Sequence, residues 1–133
     1  MINKINNFQI ILDDISKKLV FDNIVVSNKV NADCIEGQFD ISNHYLVIMY
    51  TIAHEGDYFT ATLLDKRFKK IDEKFFYLDY IDLEYKDAVP ISDNQVKVIF
   101  TNNASVVIQI CKLLFLPIKP FIWIRKWKRP MKK

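Results

Sequence analysis

Residues 5 to 23 read INNFQIILDDISKKLVFDN, and the period of their apolar residues decides the fold class. Ile5, Phe8, Leu12, Ile15 and Leu19 recur at spacings of three and four. That places them on one stripe of a helix, with Asp13, Asp14, Lys17 and Lys18 off it. Asn3 or Asn6 can cap the first turn, an amide oxygen accepting from a backbone N–H that has no partner within the helix. Val20, Phe21 and the pair Asp22-Asn23 mark its end. The expectation is an amphipathic N-terminal helix.

From Ile24 onward the period changes to two. Ile35, Gly37, Phe39 and Ile41 alternate with Glu36, Gln38 and Asp40, as in a strand with one wet face. Ser42-Asn43 is a turn, and HYLVIMYTIA (44–53) is apolar on both faces, the mark of a central strand. The stretch His54 to Asp57 supplies a tight turn in which Gly56 can take a positive φ. DYFTATLLD follows as the return strand of an antiparallel meander. FFYLDYIDLEY (75–85) is favoured as strand by its aromatics, while Asp72 before it and the acids through it permit a helix, and QVKVIFT reads as a short strand with Val96, Val98 and Phe100 facing one way. ASVVIQICKLLFL (104–116) is open to two readings, a strand with alternating faces or a second helix capped by Asn103, and its length for a strand favours the helix narrowly. The predicted architecture is α+β. A helix packs on an antiparallel sheet of four to six strands in one domain, 1–116, followed by a basic aromatic tail, 117–133.

With 133 residues, half of them apolar, the chain is long enough to bury a core of its own. Two glycines, Gly37 and Gly56, cannot build a phosphate-cradling loop or a dinucleotide fingerprint. The N-terminus lacks the pattern of a secretory leader, so the two cysteines, Cys34 and Cys111, are expected as free thiols in a cytoplasmic protein.

Chemistry is sparsely signalled. His44 and His54 are the only histidines, and HEGDY lacks the second His that the zinc-protease helix motif needs. No nucleophile elbow is present, and neither Cys has an activating neighbour in sequence. Asp65 followed by Glu84-Tyr85-Lys86 is the one enzymatic pattern. It resembles the acid-then-acid-x-Lys core of metal-dependent nucleases, in which the carboxylates would hold Mg²⁺. A meander does not offer the helical crossover which that core implies. Neither a cofactor nor a metal is expected.

Charge is unevenly placed. Residues 1–116 carry twelve Lys/Arg against sixteen Asp/Glu, while 117–133 carry seven Lys/Arg and no acid. Lys112, Lys119, Pro117 and Pro120 rule out a spanning helix near the C-terminus. The interleaved Trp123, Arg125, Lys126, Trp127, Lys128 and Arg129 suit anionic headgroups or nucleic-acid phosphates, while PFIWI can equally be a last strand with a solvated end.

A second patch is acidic. Asp72, Glu73, Asp79, Asp82, Glu84 and Asp87 lie within sixteen residues, with Tyr77, Tyr80 and Tyr85 among them. Aromatics supply contact area and acids steer a basic partner, so Asp72, Glu73, Tyr77, Asp79, Tyr80, Asp82, Glu84 and Tyr85 are the predicted protein-binding residues.

The leading helix (Ile5 to Leu19) and the meander FDISNHYLVIMYTIAHEGDYFTATL resemble, in organisation over residues 1–65, the small bacterial immunity proteins of polymorphic or contact-dependent toxin systems. That resemblance implies inhibition of a toxin by direct binding, with an acidic face against a basic target. The leading expectation is a non-enzymatic protein-binding module, an immunity or inhibitor protein. Membrane-surface or nucleic-acid binding through the tail stands second, and a nuclease using Asp65, Glu84 and Lys86 third.

Overall fold

A computed structural model describes residues 1–13, 15–77, 84–101, 104–112 and 120–125. Among them there is no α-helix. Twelve strands run in order as β1 (Ile2–Lys4), β2 (Phe8–Leu12), β3 (Lys17–Phe21), β4 (Ile24–Val30), β5 (Cys34–Ile41), β6 (His44–Thr51), β7 (Tyr58–Asp65), β8 (Lys70–Tyr77), β9 (Tyr85–Ser92), β10 (Gln95–Phe100), β11 (Ser105–Cys111) and β12 (Phe121–Ile124). The expected α+β class is therefore corrected to all-β.

The stretch 5–23 is the first correction. Phe8 to Leu12 pairs antiparallel with Lys17 to Phe21. Asp22 and Asn23 both take positive φ, 47° and 70°, as the central pair of a type I′ turn does. They join two strands and do not end a helix: Phe21 pairs with Ile24 across them. Of the supposed stripe, Phe8 and Leu19 are buried, whereas Leu12 is 77% exposed and Ile15 97%. A helix face would have buried all of them together.

The second correction falls on 104–116. Ser105–Cys111 is a strand that pairs with β10. From Val106 the burial alternates, Val106, Ile108 and Ile110 in, Val107 and Gln109 half out. Seven of the segment's residues form that strand, and 113–119 lie outside the described residues. Of the segment 75–85, residues 75–77 are the end of β8 and Tyr85 is the first residue of β9, with 78–83 outside the described residues.

The meander holds. β5, β6 and β7 pair in sequence, and β6 sits in the middle of a five-stranded central sheet ordered β1-β5-β6-β7-β8. Its two-faced apolar pattern has a cause in that position, because each face of β6 is covered by a different sheet. On the front lies a four-stranded sheet, β12-β11-β10-β9, and between the two sheets is the main core. Phe39, Leu46, Ile48, Phe59 and Leu63 meet Val96, Val98, Phe100, Val106, Ile108 and Ile122 there. Gly37 lies where β5 approaches β9, and a Cβ on it would stand 3.2 Å from the Phe39 ring and 3.4 Å from Ala88 Cβ. The back is covered by a three-stranded sheet, β2-β3-β4. Phe8, Leu19 and Ala32 pack there with Val47, Met49 and Leu64 in a smaller core.

Two side chains tie the layers together. The Gln38 amide imitates a strand neighbour, its Oε1 accepting from Phe8 N at 2.7 Å and its Nε2 donating to Phe8 O at 3.1 Å. That fixes the start of β2 against β5. Asp72 Oδ2, at one edge of the central sheet, accepts from Ile122 N of the front sheet at 2.7 Å.

Candidate functional site

The back sheet is narrower than the sheet it covers. Its contacts run from β5 across β6 to Leu64 of β7, and beyond that line lies a cleft of about 380 Å³. Alternation along β7 sends Phe59, Ala61 and Leu63 into the main core and Tyr58, Thr60, Thr62 and Leu64 to the cleft floor. Glu73 and Phe75 of β8 continue the floor, opposite Thr62 and Thr60. The far wall is β4, which contributes Val26, Ser27, Lys29 and Val30.

The floor is polar and buried at once. Thr51, Thr60 and Thr62 are three of the four buried polar residues among those described. Thr62 gives its hydroxyl hydrogen to Glu73 Oε2 at 3.0 Å, and Lys70 Nζ stands 3.5 Å from the other carboxylate oxygen. At one end Tyr58 packs edge-on to Phe75 and against Tyr77, each pair with ring centroids 5.7 Å apart. Phe75 and Tyr77 are more than half exposed. At the other end Leu19, Leu64 and Phe68 close the cleft.

Phe68 is held in an unusual backbone. It sits after a tight turn in which Phe68 N donates to Asp65 O and Asp65 N to Lys69 O, and its φ is 67°. Glycine is the usual occupant of such a position, since a bulky side chain there is strained. The ring is retained by an aromatic cluster, 5.0 Å from Phe21 and stacked on Tyr45 at 5.9 Å. Lys66 Nζ lies 3.9 Å from the centre of the same Tyr45 ring.

The predicted binding residues are divided. Glu73 and Tyr77 share the cleft side of β8 with Phe75. Asp72 points the other way, to the front sheet. Tyr85 packs on the main core, and burial first, then Asp87 and Glu36, pushes its phenol up to about 12. Glu84 begins the turn into β9, its N–H given to Thr101 Oγ1 at 3.1 Å. β8 lies beside β12, whereas β9 lies beside β1 and β5, so Asp72 and Glu73 sit at the opposite edge of the sandwich from Glu84 and Asp87. Asp79, Tyr80 and Asp82 are outside the described residues.

In the tail, Phe121–Ile124 is a strand of the front sheet with Ile122 buried in the main core. Trp123 is 58% exposed on the outer face, and Arg125 N donates to Val107 O. Lys126, Trp127, Lys128 and Arg129 lie outside the described residues.

The nuclease pattern is not assembled. Asp65 Oδ1 accepts from the N–H groups of Arg67 and Lys69, both at 2.9 Å, and those bonds hold its carboxyl below the usual range. It is a turn cap on β7 of the central sheet, while Lys86 lies in β9 of the front sheet and Glu84 directly precedes that strand. Among the described residues no three His, Cys, Asp or Glu stand together as a metal site requires. Cys34 donates to Glu36 Oε1 at 2.9 Å, and burial, then that bond, pushes its thiol up to about 12, the opposite of activation. His44 is held below its usual range by burial, then by Lys112. No helix among the described residues is long and apolar enough to cross a membrane.

Comparison with known proteins finds no matching family model, no matching curated protein and no matching solved structure. Sequence reasoning missed Tyr58, Thr60, Thr62 and Phe75. For the first three the signal was present in YFTATLLD, where threonine occupies alternate positions of a largely apolar strand.

Proposed function

We propose that the protein is a non-enzymatic protein-binding module that works through the cleft side of β7 and β8. The observation that carries this reading is the row Glu73, Phe75 and Tyr77 on one face of β8. There a half-buried carboxylate lies beside two largely exposed rings, backed by Tyr58. Exposed aromatics beside a shielded charge are the composition of an interaction hot spot. Toxin inhibition is one task for such a module. The resemblance that pointed to it keeps its meander and loses its helix.

The test is a partner captured on the full chain, purified and re-bound in defined stoichiometry. The double variant Phe75→Ser, Tyr77→Ser should weaken that complex by about a hundredfold or more, the loss of about two hot-spot side chains. Replacing the basic residues 125–129 by Gln should leave it intact.

A second reading has its own observation. Trp123 is exposed on the outer face of the front sheet, where Arg125 and Lys97 flank Val107. An anionic surface or single-stranded nucleic acid fits there. The opposite outcome of the same experiment, with binding lost on tail neutralisation and with rising salt, selects it.

A further inference from the structure

We propose that the cleft takes an extended segment of a partner protein as a fourth strand of the back sheet, paired along β4 and lying over β7 and β8. This rests on the protein-binding reading above and specifies the partner's chemistry.

The wall of the cleft is a strand edge. Among the described residues β4 pairs with β3 alone, and no described strand lies along its other side. Ser27 Oγ donates to Lys29 O at 3.1 Å, so a side chain serves a carbonyl of that strand. Ile24 and Val25 continue the strand as exposed apolar residues, 57% and 49%. An exposed apolar edge is a template for another strand.

The dimensions agree. Strands in a sheet lie about 4.8 Å apart, so a strand added to β4 falls over the uncovered strip of β7 and β8. The floor from Tyr58 to Leu64 runs along a strand for about 20 Å at roughly 3.3 Å per residue, the length of a short extended segment and longer than a compact small molecule needs.

The floor also sets a side-chain pattern. Side chains of an added strand point down at every second residue. One of them would face Glu73 and Thr62 in the middle of the floor, where the carboxylate holds the Thr62 hydroxyl on one oxygen and has Lys70 at 3.5 Å from the other. A Lys or Arg satisfies that position. The residues two before and two after it meet Tyr58, Thr60 and Phe75 on one side and Leu64 and Phe68 on the other. Those positions are apolar. The expected segment is apolar-x-basic-x-apolar, its basic residue set against Glu73, the one acid of the cleft lining.

The experiment is selection of random twelve-residue displayed peptides on the purified full chain. Enriched peptides are then synthesised, and their binding is followed by fluorescence anisotropy and by amide exchange of the protein. The expected consensus has a basic residue between apolar ones at two-residue spacing. Glu73→Lys should weaken such peptides about tenfold or more. N-methylation of the peptide at alternate backbone nitrogens, which removes single edge hydrogen bonds, should do the same. Exchange should slow in Ile24–Val30 on binding. Peptides that bind while tolerating N-methylation at every position, or that protect other strands alone, overturn strand addition and leave the protein-binding reading standing. Absence of any enriched peptide overturns it too. So does a chain that sediments as a dimer with β4 already protected, since the occupant is then a second copy. Neither result touches the Phe75/Tyr77 test above.

Discussion

Replacing Leu19, Ile15 and Leu12 one at a time by Ala separates a β-hairpin from a helix in solution. On a helical stripe the three side chains would be equivalent. In the hairpin they are not: Leu19 is 3% exposed, Leu12 77% and Ile15 97%. A buried Leu→Ala change costs about 2–5 kcal/mol through lost transfer energy and the cavity left behind. Leu19 sits in the smaller core under three strands that can settle toward the space, so the lower part of that range, about 2–3.5 kcal/mol, applies. Ile15→Ala and Leu12→Ala remove surface already in water and should stay within about 0.5 kcal/mol. At about 3–5 °C per kcal/mol for a chain of this size, Leu19→Ala lowers Tm by roughly 6–17 °C and the other two by no more than about 3 °C. Urea titrations followed by tryptophan fluorescence, with thermal melts alongside, give the three values. If Ile15→Ala costs 2 kcal/mol or more, comparable with Leu19→Ala, the hairpin assignment is wrong.

At position 68 glycine should be better than alanine, the reverse of the usual order, by about 1 kcal/mol, because φ there is 67°. Both variants should be less stable than the wild type in urea, since each loses the ring contacts with Phe8, Phe21 and Tyr45. Asp72→Ala removes the acceptor for Ile122 N, a charge-assisted bond worth about 1.5–3 kcal/mol, and amide exchange at Ile122 should speed by at least tenfold. Tyr50 and Tyr85 are both pushed up to about 12, Tyr50 by its bond to Asp57 and then by burial, Tyr85 by burial first. A raised folded-state value stabilises fully below the unfolded pKa of about 10 and is lost as pH rises toward 12. Stability should therefore fall above about pH 10, less steeply in Tyr50→Phe and Tyr85→Phe, as read from urea midpoints across that window.

The strands of the meander and β10 were legible because each carries a strong version of its own rule. Val96, Val98 and Phe100 alternate cleanly, and Gly56 takes the positive φ its turn demands, 126°. Residues 5–23 were not legible, because FQIIL is apolar at 8, 10, 11 and 12, which satisfies a period of two as well as spacings of three and four. The deciding signal was Asp22-Asn23. Two residues that tolerate positive φ between KKLVF and IVVSN specify a two-residue hairpin loop, and the same pair also serves as a helix terminator. The acidic cluster misled for a topological reason. Proximity in sequence carried it through 72–87, but the chain crosses from one sheet to the other within that span, and its two ends part.

The cleft follows from the width of one sheet. Three strands cannot cover five, so a strip of the central sheet's back face must be left over, and the composition of β6 and β7 records where cover stops. Under the back sheet β6 carries Val47 and Met49, and β7 carries Leu64, all buried and apolar. One strand further along, the same face changes to Thr60, Thr62 and Tyr58, while the opposite face of β7 stays apolar at Phe59, Ala61 and Leu63. Thr60 and Thr62 are 6% and 4% exposed, so wetness alone does not explain them. Valine would fit the same volume, but it carries no hydroxyl to offer a neighbour, as Thr62 offers to Glu73. Replacing Thr60 by Val, which spares the bond from Thr62 to Glu73, should leave stability unchanged or raise it, while weakening whatever the cleft binds. A hydroxyl serving only the fold would give the reverse, a loss of stability with binding intact. The two measurements on that one variant decide whether the cleft is a leftover of sheet width or a surface kept for a ligand.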